Sequence, residues 1–205
     1  MPVTTSSAPL DRSDLRTVTL GGAQLGGLTA LAVVVFLAAS RLPADRVALA
    51  RGIETLIVLA AAVAVSFLPA QWSGARHVEG IAGAAALGFV GTLLFSVIDI
   101  VALRPLKAYP WTWDAIGGGS SWWYLPVWWM LGTFLAWMGG IVTARQAVRG
   151  AATLGRAAGP TLVATLVAVT LARGLGLAVA LPVLAGLGWT VVVALLAVVA
   201  LARPG

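Results

Sequence analysis

The chain has 205 residues, 60% of them hydrophobic and 10% charged, with mean hydropathy +0.99 and net charge +6. It has no cysteine, which excludes disulfides, thiolate metal sites and iron–sulfur clusters, and its one histidine, His77, excludes a bis-histidine haem held by this chain alone. The basic residues are scattered through the connections between apolar runs, so their expected counter-charge is anionic lipid headgroup and not nucleic acid.

Residues 1–17 form a polar tail. Asp11, Arg12, Asp14 and Arg16 precede an apolar run too long for a secretory signal core, which predicts a retained first helix over Val18–Ser40. Further apolar runs follow at Val47–Leu68, Ile81–Leu103, Leu125–Ala144, Pro160–Ala172 (extendable back through Ala151) and Leu177–Ala202. A span needs about 20 mostly apolar residues to cross roughly 30 Å of hydrocarbon. Barrel strands would alternate polar and apolar residues, and runs such as Leu31–Leu37 and Val191–Leu196 do not. The fold class predicted is therefore an all-α integral membrane protein, a polytopic helical bundle of six spans in one domain over 18–205. A five-span alternative, with Pro160–Leu181 partly re-entrant, rests on Gly159-Pro160 and on Pro182, placed to kink the last run.

Six spans put both termini on one side of the membrane. That side carries seven basic residues and the other six; the cluster Arg145, Arg149 and Arg156 tips the reading toward cytoplasmic termini. Abundant Ala, Val, Gly and Arg suggest a GC-rich bacterial genome, hence a multi-pass protein of the bacterial inner membrane. No internal duplication relates the two halves, which weighs against an inverted-repeat transporter.

Seven of the nine tryptophans fall between Trp111 and Trp137, most of them in or beside the connecting segment 104–124. Trp111, Trp113, Trp122, Trp123, Trp128, Trp129 and Trp137 compose either an interfacial aromatic belt or a contact surface for a partner subunit, a lipid, a quinone or a pigment. Pro126 suits the first turn of a helix, which sets Trp128 and Trp129 near the interface and Trp137 about three turns deeper. Trp111, Trp113 and Trp137 are the members a belt explains least well.

Parity brings Arg51, Glu54, Asp99 and Arg173 to the leaflet of the tryptophan segment. Glu54 shares a helix face with Arg51, and Asp99 is within reach of Arg104, or of Arg51 or Arg173 if their helices adjoin. Such shallow groups of compensating sign read as structural ion pairs, with an ion path or ligand site as the alternative. Small residues at four-residue spacing form candidate packing ridges: Gly22/Gly26/Ala30, Gly80/Ala84/Gly88/Thr92/Ser96 and Gly132/Ala136/Gly140.

Neither a nucleophile–base pair, nor a zinc-spaced histidine pair, nor a phosphate-binding glycine loop accompanies these features. The expectation is a non-catalytic accessory subunit of a larger membrane complex, respiratory or photosynthetic energy-converting complexes being the host class. It would contact lipids and other integral membrane subunits and carry no intrinsic cofactor. A small oligomeric transporter or channel is the first alternative, and a lipid- or quinone-handling enzyme the second.

Overall fold

Six helices, each long and apolar enough to cross a bilayer, make up a computed structural model that describes residues 13–106, 108, 124–150 and 152–202. They are α1 (Leu15–Ala39), α2 (Val47–Ser73), α3 (Val78–Ile98), α4 (Tyr124–Val148), α5 (Leu154–Gly174) and α6 (Leu181–Ala202). No strand occurs among the described residues, so the barrel is excluded by structure as well as by pattern. A short 3₁₀ turn, Ala44–Arg46, leads into α2, and one π-helical turn, Asp99–Leu103, extends α3.

Local chemistry explains several ends that hydropathy places differently. Helix α1 starts at Leu15, inside the polar tail, because Asp14 caps it. Its carboxylate accepts from the Thr17 hydroxyl (2.7 Å) and the Thr17 amide (3.0 Å). Those bonds, the hydroxyl one foremost, hold the Asp14 carboxyl below its ordinary pKa. Helix α2 runs past Leu68 and through Pro69, ending where Gly74 takes the left-handed conformation (φ 64°) and Ala75 donates back to the Ala70 carbonyl. The Ser73 hydroxyl then ties the α2–α3 turn by donating to the Gly80 carbonyl (2.8 Å).

The re-entrant alternative gives way to two full helices. Pro160 lies inside α5, and Pro182 occupies the first turn of α6, where a missing N–H costs nothing; residues 177–180 are not helical. Pro160 cannot donate to the Arg156 carbonyl four residues back. The Gln146 side chain takes that role, its Nε2 donating to the Arg156 oxygen at 2.9 Å across the α4–α5 junction.

Helix α2 is the hub, in contact with all five other helices. Its Ala60–Ala62, Ala64 and Ser66 keep its surface low enough for that crowding. Helices α1, α3 and α4 pack as a row, α1 on α3 and α3 on α4, while α6 fits against α2, α4 and α5. The deepest core lies among α2, α4 and α6 around Phe67, Leu135, Trp189 and Val193. Trp189 is fully buried; its Nε1 donates to the Ser66 Oγ at 3.0 Å, and its ring meets Phe67 edge-on at 6.0 Å.

Candidate functional site

At the polar end of the bundle opposite the termini, Asp99 and Glu54 each pair with an arginine close in sequence. In the π turn after α3, the Arg104 amide bonds the Asp99 carbonyl five residues back at 2.9 Å. That wider turn stacks residue 104 over residue 99, and the Arg104 Nε donates to the Asp99 Oδ2 at 3.1 Å. On α2, Arg51 Nη1 donates to Glu54 Oε2 at 2.7 Å, one helical turn apart. Both carboxylates are buried, at 2% exposure, although their arginines reach solvent to different extents, Arg104 at 18% and Arg51 at 52%. Arg173 is exposed and donates to the Leu177 carbonyl (3.3 Å), closing the α5–α6 connection. The four residues thus share one end of the bundle as two sequence-local ion pairs and a separate arginine that caps its own turn.

The polar residues of α3 bond chiefly to their own helix. Thr92 donates to the carbonyls of Gly88 and Phe89, and Ser96 to that of Thr92. Ser96 Oγ also accepts from the Trp129 indole at 3.0 Å, and the Trp129 ring meets Phe89 edge-on at 6.5 Å. Trp129 is therefore an internal strut between α4 and α3. Trp128 and Trp137, by contrast, face outward, at 42% and 48% exposure. Trp137 is the deeper of the two by about 13 Å along the helix. Trp111, Trp113, Trp122 and Trp123 lie outside the described residues.

The small-residue ridges meet one another inside the chain. A methyl added at Gly88 would lie 2.5 Å from the Ala136 Cβ and 2.7 Å from the Gly132 carbonyl oxygen; one at Gly132 would run into the Thr92 side chain. Gly140 faces Ala84 more loosely. The α3 ridge from Ala84 to Thr92 is thus fitted against Gly132, Ala136 and Gly140 of α4, and Gly80 serves the α2–α3 turn. The α1 ridge packs on the other side of α3, with Gly26 against the Gly91 carbonyl. These seams are consumed within the fold, so any contact with another subunit has to use other surface.

Two tight contacts have no counterpart in the sequence reading. Gly139 comes so close to α2 that an added Cβ would strike the Ser66 backbone carbonyl, and Trp189 reaches the hydroxyl of that same Ser66. The signals were the doublet Gly139-Gly140, which clears two helix faces at once, and an isolated indole midway along α6 that requires an acceptor.

Between α1, α2, α3, α4 and α6 lies a cavity of about 560 Å³, reaching from the polar end toward mid-depth. Its wall is apolar, with Phe36, Ile57, Phe95, Trp128 and Leu187 prominent, and Asp99 contributes to the lining at one end. An apolar chamber with a few polar groups at its mouth is the general form of a site for an amphipathic molecule.

Fold and site together define a multi-pass helical membrane protein in contact with lipid. No protein-family model, no curated protein and no solved structure matches the chain.

Proposed function

We propose that the protein is a non-catalytic subunit of a larger assembly of the bacterial inner membrane, termini in the cytoplasm, that binds a neighbouring membrane subunit through the outer face of α4. One observation carries the reading: Trp137 is half exposed deep in the span. An indole favours the headgroup level, where its N–H finds water. Trp129 and Trp189 have acceptors for theirs, while no described residue accepts from Trp137. Leaving that donor in hydrocarbon is costly, and a partner helix offering an acceptor removes the cost. Val127 and Met130 extend the same outward stripe toward the tryptophan segment. Respiratory and photosynthetic energy-converting complexes are the host class to examine first.

The test is gentle extraction from native membranes, a native gel, and mass spectrometry of whatever migrates with the chain. Co-migration with a large assembly is expected, and Trp137→Ala with Met130→Ala should weaken that association at least about tenfold, a loss near 1.4 kcal/mol or more. Migration alone as the wild type would end the proposal.

The cavity favours a second reading, a site for a lipid or quinone. Trp128 and Trp189 line it, so a short-chain quinone bound there should quench tryptophan fluorescence saturably. Ala61→Phe, which fills the chamber from α2, should raise half-saturation about tenfold. Unsaturable quenching, equal in both proteins, would reflect partitioning into detergent and remove this reading.

A further inference from the structure

Gly22 and Gly26 of α1 pack on Val90 and Gly91 of α3, and Gly91 lies midway along the span Val78–Leu103. Gln24 falls between those two glycines in the sequence. At the helical repeat its side chain leaves α1 on the opposite side, straight away from the bundle. It is exposed, and no described residue bonds its carboxamide. A group at that depth is about 15 Å from either headgroup layer, half of the hydrocarbon thickness, too far for so short a side chain to reach water. Two N–H donors and a carbonyl oxygen are therefore left facing lipid, which answers neither. A lipid-facing leucine needs no explanation, but a lipid-facing carboxamide at mid-depth needs a partner.

The residues around Gln24 give that partner its shape. Leu20, Gln24, Gly27, Leu31 and Val34 follow one another at alternating spacings of four and three, the seam of a left-handed helix pair. All five are exposed, Leu20, Leu31 and Val34 each to about half. A methyl added at Gly27 would meet nothing within 4 Å, so the backbone there is open to the close approach that membrane helices use. The faces that α1 turns to the bundle carry Gly22, Leu25, Gly26 and Ala30, and none of these belongs to the seam.

A carboxamide is donor and acceptor at once, and so is complementary to a copy of itself. Two glutamines facing across a two-fold axis can each donate one N–H to the other's oxygen. A partner that offers only donors or only acceptors answers half of the group; a second carboxamide in the same register answers both halves.

We infer that α1 is the interface of a homodimer, in which the α1 helices of two copies run parallel and their Gln24 side chains bond each other at mid-depth. One polar residue in such a seam fixes its register and the number of helices that join. Helix α3 stands between α1 and α4, so the dimer leaves the outer face of α4 free for a different neighbour.

The chain has no cysteine, so single cysteines report the seam directly. In the full chain, purified and reconstituted into liposomes of phosphatidylethanolamine and phosphatidylglycerol, oxidation should join L20C to L20C and V34C to V34C as dimers. L28C, exposed on the same helix but to one side of the seam, should cross-link far more slowly. Energy transfer between two labelled pools, followed as lipid is added, gives the dissociation constant. Gln24→Leu removes no contact within the chain and should raise that constant about tenfold. Gln24→Asn, which keeps a carboxamide, should fall between the two, and Gly27→Leu should weaken the dimer by holding the helices apart. The inference is overturned if L28C cross-links as readily as L20C and V34C, if wild-type energy transfer does not exceed that of random mixing, or if Gln24→Leu self-associates like the wild type.

Discussion

Gly139→Ala is expected to destabilise the protein severely, while Gly140→Ala beside it is expected to be nearly neutral. At Gly139 the new Cβ would meet the Ser66 carbonyl of α2, a backbone group fixed in a helix that all the others touch. Relief requires moving α4 away from α2, which disturbs the core around Phe67 and the bond from Trp189 to the Ser66 hydroxyl. Overpacking costs about 1–3 kcal/mol where side chains can yield, and here none of the obstructing atoms is a side chain, so a loss at or above about 3 kcal/mol is expected. At Gly140 the same methyl would find Ala84 Cβ at 3.4 Å and Ile81 Cγ2 at 3.5 Å, ordinary contact distances that a slight shift accommodates. Thermal unfolding in mild detergent reads both. Equal midpoints for the two variants would mean that α4 and α2 are farther apart than described.

The second large effect is expected at Arg51. Glu54 is buried and its carboxylate is paired with the Arg51 guanidinium, so Arg51→Met leaves a charge with neither water nor a cation. Breaking a buried pair from one side costs about 3–5 kcal/mol; because Arg51 is half exposed and the pair sits near the end of its span, the lower end of that range applies. Glu54→Gln should cost less, since the stranded guanidinium can turn to solvent. The double variant R51M/E54Q should recover most of what Arg51→Met loses, giving a coupling energy of about 1–3 kcal/mol in a double-mutant cycle. Additive losses would show that the pair contributes nothing as a pair.

The parts of this architecture that depend on the bilayer or on neighbouring residues were legible in the sequence. Six apolar runs of spanning length announce six helices, because lipid demands uninterrupted hydrophobicity and leaves helices or barrels as the choices. The Arg51–Glu54 contact follows from three-residue spacing alone. Helix ends were less legible, because they are set by single polar atoms: the Asp14 cap lengthens α1, and the Gly74 turn ends α2 a full turn beyond its apolar run.

Helix partners were the hardest to read. In water an amphipathic stripe identifies the buried face of a helix, but in lipid both faces are apolar and the stripe disappears. The ridges on α3 and α4 could be seen, yet nothing in their spacing says that Gly88 meets Ala136 and not a helix of another protein. The contact of Trp189 with Ser66 joins residues far apart in the chain through one hydroxyl, and the bond from Gln146 to the Arg156 carbonyl exists because a proline three residues beyond Ala157 withholds its amide. Each is plain in three dimensions and has no periodic trace.

That α2 touches every other helix also bears on the order in which the fold is assembled. The hub is made after α1 and before α3, α4, α5 and α6, so each of those four emerges to find their common neighbour already in the membrane. After α1, no helix has to wait for one made later before it can dock, and α3 meets α1 and α2 together. The bundle can thus be completed in the direction of synthesis, one helix at a time. A rearranged gene that moved the first two helices to the end would keep every contact of the finished protein and lose that sequence of events.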